Sequence, residues 1–465
     1  MALQVYNTLT RKVEAFKPIK DGEVSAYVCG LTVYDDMHLG HARTYLAFDA
    51  IFRYLKYRGY SVRYIQNITD VDDKIIKRAK EKGLNPLELT SEYSKKSRED
   101  QDKLGLIPAD VYPKVSENIN EIISGVQTLI EKSNAYVVDG SVYFDMSTFP
   151  EYGKLSHQDT EQLKQHRIES NPDKKNPLDF ALWKRVDENE FGFESPWGWG
   201  RPGWHIECSV MSRKYLGDSF DIHGGALDLI FPHHENENAQ SEALTGKKLF
   251  VKYWLHTGFL YSTGEKMSKS LGNILSVGDF LEKYEMNTLR LLVLKTHYRS
   301  QLDYSEELVG EAGEALKRLV NFRESLGKGG KSLEGVEENI EDIFTQLNID
   351  FIKAMDDDFN TPQALGKIFE VVRKTNTLLS KESVSTEARK FALSIFDELM
   401  EVLGLELKPV FSDLNEYEKE LISERNSFRE RKLWTQADEI RDKLLELGIT
   451  LKDKDGITFT EKKSR

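Results

Sequence analysis

The sequence predicts an α/β protein: a doubly wound parallel sheet with an inserted connective domain, then a helical bundle, then a small α/β C-terminal domain. Three observations carry this. Strand-like and helix-like runs alternate from residue 24 to about 115, and the pattern resumes after about 201. From Ser305 to Gly404 the apolar spacing is helical, with charged faces and no good strand. Beyond Pro409 two further helical patterns precede a hairpin pattern at 449–460.

In order along the chain, Val24-Ser25-Ala26-Tyr27-Val28 reads as a buried strand. Ala42 to Tyr57 reads as a helix with Tyr45, Phe48, Phe52 and Leu55 on one face. Ser61 to Ile65 is the next strand, and a helix over 73–82 ends at Gly83. Residues 1–115 thus form the first half of a Rossmann-like sheet. An insert over 116–200 holds a helix at 116–132 and a hairpin, Tyr136-Val137-Val138 and Val142-Tyr143-Phe144, across the turn Asp139-Gly140. The polar stretch Gln158 to Lys175 reads as an exposed connection. The second half of the sheet covers 201–262, a loop-and-helix region 263–305, the bundle 306–404 and the tail 405–465. Gly327-Lys328-Gly329-Gly330 separates two bundle helices. The tail opens with a basic helix at about 414–431, followed by one at 434–447 that ends at Gly448.

With 465 residues the chain has room for about three to four domains. Hydrophobic residues make up 39% and charged residues 30%, and no apolar run is long enough to span a bilayer. No secretory signal is visible at the start. The two cysteines, Cys29 and Cys208, exclude a disulfide framework and any disulfide-linked partner, so a cytoplasmic protein is expected. The net charge of −13 opposes a nucleic-acid partner unless basic residues gather locally. Acid concentrates at Glu334–Asp342 and Asp356-Asp357-Asp358, whereas Arg425, Arg429, Arg431 and Lys432 offer a basic path.

Two basic motifs bear on phosphate. His38-Leu39-Gly40-His41 lies at a strand-to-helix junction, where backbone N–H groups and the helix dipole face an anion. Lys266-Met267-Ser268-Lys269-Ser270 lies in a loop between Gly264 and Gly272 and brings two ammonium groups. Either motif alone is weak and more often reads as solvated surface. The pair, in this order, resembles class I aminoacyl-tRNA synthetases. The one departure, Leu39 for isoleucine in the histidine motif, keeps an apolar side chain facing the core.

A metal constellation is also present. Cys29 ends the first strand, and ligands of open parallel sheets bind beyond the strands' carboxyl ends. Cys208 lies in Pro202-Gly203-Trp204-His205-Ile206-Glu207-Cys208. His233 and Glu237 follow Pro232, which can open a helix and place them on one face at i and i+4. Two thiolates, an imidazole and a carboxylate make a sensible zinc set. His234 competes with His233. Glu235 competes with Glu237 but would point elsewhere on a helix. Two distant cysteines also read as small buried residues.

Longer runs sharpen the resemblance. Tyr27-Val28-Cys29-Gly30-Leu31-Thr32-Val33-Tyr34-Asp35, Asn67-Ile68-Thr69-Asp70-Val71-Asp72-Asp73-Lys74, Asp179-Phe180-Ala181-Leu182-Trp183-Lys184 and Phe231-Pro232-His233-His234-Glu235-Asn236-Glu237 look like cysteinyl-tRNA synthetase. So do the run ending in Cys208, Asp356-Asp357-Asp358-Phe359-Asn360-Thr361-Pro362, and Trp434 with Ala437, Asp438, Ile440, Arg441 and Asp442. The resemblance covers nearly the whole chain.

It implies one zinc ion per chain on Cys29, Cys208, His233 and Glu237, bound to the thiol of substrate L-cysteine. It implies ATP, with magnesium, at His38, Gly40, His41 and Lys269. His38, His41, Lys266 and Lys269 then carry catalysis. Thr69, Trp204 and Asp228 are implied contacts to the amino acid or adenylate. Trp197, Trp199 and Trp204 flank glycines and equally could cover a sheet edge. Arg429, Trp434, Asp438 and Asp453 match positions that read the anticodon of tRNA(Cys), although Trp434 also fits a helix-packing role. A monomer is expected. Two rivals stand beside this reading: a cysteine ligase of thiol biosynthesis and a non-catalytic RNA-binding relative.

Overall fold

A computed structural model describes residues 2–158, 173–262, 265–266, 274–327, 336–381, 384–407, 416–447, 449–454 and 457–462. The chain divides into two compact units. One comprises Met1–Val309 with Ile352–Leu365 and Val402–Gly404; the other comprises Gly310–Phe351, Gly366–Glu401 and Leu405–Arg465.

The first unit begins with an antiparallel hairpin, β1 (Gln4–Asn7) and β2 (Lys12–Ala15). Then come β3 (Glu23–Val28), helix α1 (Leu39–Tyr57) and β4 (Ser61–Gln66). Helix α2 (Asp73–Lys82) ends on Gly83, whose φ of 66° is left-handed and suits glycine at a helix end. Sequence reasoning missed α3 (Pro86–Lys103), although its start carries a full capping box of Asn85 and Glu88 with proline at the first helical position. The insert holds α4 (Ile119–Glu131) and strands β5 (Ala135–Val138), β6 (Ser141–Phe144), β7 (Phe180–Arg185) and β8 (Gly200–Pro202). Instead of a lone hairpin these form a four-stranded antiparallel sheet. Most of the expected exposed connection, 159–172, lies outside the described residues.

The chain re-enters the main sheet through α5 (Trp204–Leu216), β9 (Phe220–Ala226), α6 (Glu235–Thr245) and β10 (Val251–Thr257). The sheet order is β10-β9-β3-β4, and all its pairings are parallel. The path goes one way from β3 to β4 and the other way from β9 to β10. Their shared boundary is therefore a switch point, and a cleft opens at the carboxyl ends of β3 and β9. Helix α1 is buried on nearly every face, and Tyr45, Phe48, Phe52 and Leu55 are all in the core. Phe48 presses on the sheet at Gly224, where any side chain would collide with its ring.

Asp356 and Asp358 are buried rather than surface charge. Tyr54 Oη donates to Asp356 at 2.7 Å, and Asp358 accepts from Tyr298 Oη at 2.8 Å and Arg299 Nε at 2.6 Å. This acidic turn belongs to the first unit although the sequence groups it with the bundle.

In the second unit, Arg323 grips Asp397 with two bonds, at 2.7 and 2.8 Å. Its tail packs helix Glu416–Glu430 on helix Trp434–Glu446 and adds the antiparallel strands Ile449–Lys454 and Ile457–Lys462. Leu421, Ile422, Ile440, Leu444, Ile449 and Leu451 form the tail's core. Among the described residues, no helix is long and apolar enough to cross a membrane.

Candidate active site and metal centre

His38 is the N-cap of α1, in extended backbone geometry. Its Nδ1 accepts from the His41 N–H at 3.3 Å, and His41 Nδ1 accepts from the His38 N–H at 3.4 Å. The two imidazoles stack at 3.5 Å. Because both Nδ1 atoms accept, each neutral ring carries its proton on Nε2. The first turn of α1 holds no acidic residue, so its positive end is uncompensated. Leu39 is buried, as expected, and a side chain at Gly40 would press on the His38 ring at 3.0 Å. Glycine there spares the stacked pair.

The lysine loop is anchored at both ends. Strand β12 (Glu265–Lys266) pairs with β11 (Leu260–Ser262), placing the Lys266 backbone opposite Tyr261. The Lys266 side chain and all of Lys269 lie outside the described residues. Past the loop, Leu275 O accepts from Leu39 N at 3.0 Å, and Val277 N donates to Met37 O at 2.8 Å. His38 and Ser276 thus face each other across an antiparallel bridge, and the loop's far end is fastened to the histidine motif itself.

Cys29, immediately after β3, meets Cys208 from α5, His233 and Glu237. Their donor atoms all lie within 4.8 Å of one another, and all four residues are buried. Pro232 does not open the α-helix as expected. Ile230–His234 form a π-turn and α6 starts at Glu235, because Phe231 is extended. The i, i+4 pairing survives, with His233 Nε2 2.9 Å from Glu237 Oε1. Burial pushes the Cys29 thiol up, whereas the hydrogen bond from Cys29 brings Cys208 down to about 6 despite burial. Burial alone would lower His233, but Glu237 and Cys208 carry it up to about 10. Burial would raise Glu237, but His223 and His233 bring it down to about 2. Anionic sulfur and carboxylate therefore gather around the cationic His233 imidazole. A divalent cation would replace the protons on Cys29 and His233 and offset most of the negative charge of two thiolates and a carboxylate.

The competitors separate. Glu235 points away and accepts from the N–H groups of Gly153, Leu155 and Ser156 at 3.0, 3.1 and 2.6 Å. His234 does not point away: its Nε2 is 3.3 Å from Cys29 Sγ, and its Nδ1 is 2.8 Å from His256 Nε2. His205, His223 and His256 were missed from sequence. Their signal was position, on α5 and on the neighbouring parallel strands β9 and β10.

Of the remaining residues, Thr69 is buried and accepts from Asn67 Nδ2 at 3.2 Å, and Asn67 Oδ1 accepts from Gly30 N at 2.8 Å. Trp204 is partly exposed, and its ring stacks on His233 at 4.2 Å. Asp228 is exposed in the short turn Leu227–Leu229 beyond β9. In the tail, Trp434 is 56% exposed at the start of its helix, outside the tail's apolar core. The Arg429 guanidinium lies 5.9 Å from its ring centroid, and exposed Asp438 follows one turn later. Asp453 lies on the strand Ile449–Lys454 opposite Thr458, and its side chain is outside the described residues. Arg425 is buried and leaves the basic path.

Comparison with known proteins agrees along the chain. A family model described as tRNA synthetases class I (C) catalytic domain matches residues 15–314. A DALR domain matches 350–408, and a cysteinyl-tRNA ligase anticodon binding domain matches 412–459. Cysteine-tRNA ligase of Thermococcus onnurineus is 50% identical over 466 residues, covering 97% of this chain and 98% of the relative. Those of Carboxydothermus hydrogenoformans and Bacillus licheniformis are 47% and 46% identical, with 97% of this chain covered and 98% and 97% of the relatives. Among solved structures, methionyl-tRNA synthetase of Mycobacterium tuberculosis with methionyl-adenylate superposes at a TM-score of 0.60 and 17% identity, covering 82% of this chain and 90% of that one. A putative arginyl-tRNA synthetase of Campylobacter jejuni superposes at 0.56 and 13%, covering 83% and 93%. Those two likenesses concern the fold. With the match of sequence over nearly its full length, the chain belongs to the cysteine-tRNA ligase family of class I aminoacyl-tRNA synthetases.

Proposed function

We propose that the chain activates L-cysteine with ATP and transfers it to the 3′ end of tRNA(Cys), choosing its substrate through a zinc–thiolate bond. The observation that supports the zinc reading is the buried meeting of Cys29, Cys208, His233 and Glu237, a donor set of soft sulfur with nitrogen and oxygen that suits zinc. Zinc held there would bind and acidify a thiol, a selectivity that a serine hydroxyl, far harder to ionise, cannot match.

The chain's own residues do the rest. The cysteine carboxylate attacks the α-phosphate of ATP, the bond to the β-phosphate breaks, and pyrophosphate leaves. The Nε2–H groups of His38 and His41 stabilise charge on the phosphates, and Lys266 and Lys269 hold the departing pyrophosphate. Magnesium accompanies ATP. Thr69, Trp204 and Asp228 orient the amino acid or adenylate; Trp204, stacked on His233, is the best supported of the three. A ribose hydroxyl of the terminal adenosine then attacks the activated carbonyl and releases AMP. No protein nucleophile is required. Arg429, Trp434, Asp438 and Asp453 read the anticodon, by stacking on the exposed indole and by polar contacts to base edges. The division at residues 115, 200, 262, 305 and 404 belongs to the same reading, as does a monomer working in the cytoplasm.

The anticodon-domain match over 412–459 favours transfer RNA over an amino sugar as the acceptor. The test is cysteine-dependent exchange of labelled pyrophosphate into ATP, followed by charging of tRNA(Cys). Exchange without charging would point to the thiol-biosynthesis rival; neither activity would point to a non-catalytic relative.

A further inference from the structure

We infer that the chain carries a second metal position overlapping the first, formed by Cys29, His223, His234 and Glu237, to which a divalent ion such as zinc moves when Cys208 or His233 is lost. The inference rests on the zinc reading above and adds His223 and His234 to it. These four also bring their donor atoms within 4.8 Å of one another, and all are buried. The two sets share Cys29 and Glu237 and differ in what flanks them. On one side stand Cys208 and His233; on the other stand two imidazoles.

Glu237 faces both ways. Its Oε1 is 2.9 Å from His233 Nε2 and its Oε2 is 2.8 Å from His223 Nε2. His234 is oriented as metal-ligating histidines are: its Nδ1 meets His256 Nε2 at 2.8 Å, and His256 Nδ1 meets Thr8 Oγ1 at 2.8 Å. That chain holds the ring with Nε2 toward Cys29, and when His234 Nδ1 is the donor to His256 the Nε2 lone pair faces the thiol. His233 has the matching support, since its Nδ1 lies 2.9 Å from His205 Nδ1. His223 has no such support, because its buried Nδ1 has no hydrogen-bond partner among the described residues. That asymmetry makes the first set the resting position and the second a fallback. One thiolate, two imidazoles and a carboxylate remain a complete tetrahedral donor set for zinc.

The experiment measures zinc per chain in the full-length protein after gel filtration, in the wild type and three variants. Cys208→Ser should keep about one zinc, His223→Gln alone should keep about one, and Cys208→Ser with His223→Gln should keep almost none. Glutamine preserves a donor toward Glu237 while removing the imidazole. His233→Gln provides an independent route should Cys208→Ser fail to fold by circular dichroism. With cobalt(II) in place of zinc, the sulfur charge-transfer absorbance of Cys208→Ser should fall to roughly half, as one thiolate replaces two. Loss of zinc from folded Cys208→Ser and folded His233→Gln as complete as from the double variant would overturn the second position. So would a double variant that keeps as much zinc as Cys208→Ser. A wild type without zinc would instead overturn the first site.

Discussion

The metal cluster and the tail place their functional candidates in opposite surroundings. In the cluster, Glu237 is fully buried and bonded to two histidines, and each ligand candidate is held by another. In the tail, Trp434 and Tyr417 are 56% and 59% exposed over a small apolar core that does not use them. The first arrangement suits discrimination of a small ligand. Buried groups cannot reorganise cheaply, so an ion and a thiol meet preset partners. The second suits a large partner that arrives with its own bases to stack. It follows that a substitution in the cluster changes chemistry and stability together, whereas one in the tail can change function alone.

The largest expected effect tests the chemical side. Lys269→Ala should slow pyrophosphate exchange on the order of 100- to 1,000-fold while cysteine binding changes little, since its charge matters most as pyrophosphate departs. Unchanged exchange would remove the lysine loop from the account.

Next comes separation of the two regions. A chain ending at Leu405 should keep cysteine-dependent exchange within about twofold yet lose about 100-fold or more in charging. This cut spares Leu403, whose carbonyl accepts from buried Arg290 at 3.4 Å, and Gly404, where a side chain would collide with the same guanidinium. Circular dichroism must first show a folded product. Full charging by that product would give the tail some other role. Within the tail, Trp434→Ala should weaken charging about tenfold through the KM for tRNA, the loss of one stacked base. Its melting temperature should not move, because the ring is exposed. A large drop in melting temperature would return Trp434 to the packing role.

The smallest effect concerns the link between the two basic motifs. Val277→Pro removes the N–H that donates to Met37 O at 2.8 Å. Proline suits the first helical position, and Ser276 before it is already extended. Exchange should fall about three- to tenfold, in line with one backbone hydrogen bond of about 1 kcal/mol. Val277→Ala, which loses more side chain but keeps the N–H, should be nearly normal. Equal losses in both would show packing rather than positioning.

Much of this was legible in the sequence, for physical reasons. Strands β3 and β4 and helix α1 announce themselves through apolar period, and the histidine motif through its place between them. Helix α3 escaped because its face is mostly charged or polar and only its cap is distinctive. His223 and His256 escaped because a single histidine in an apolar strand carries no spacing, and only the parallel pairing of β9 with β10 brings them beside Cys29 and His234. Arg425 was read as surface because a basic helix shows charge but not which turn faces inward. Asp356 and Asp358 were read with the acidic stretches for the same reason; their partners Tyr54 and Tyr298 are distant in sequence.

The most direct test of the central claim compares cysteine with serine in pyrophosphate exchange, before and after zinc is removed and restored. The account predicts cysteine-dependent exchange that disappears with zinc, returns with it, and is at background with serine throughout. Cysteine-dependent exchange that persists in zinc-free protein, or exchange with serine comparable to that with cysteine, would contradict it.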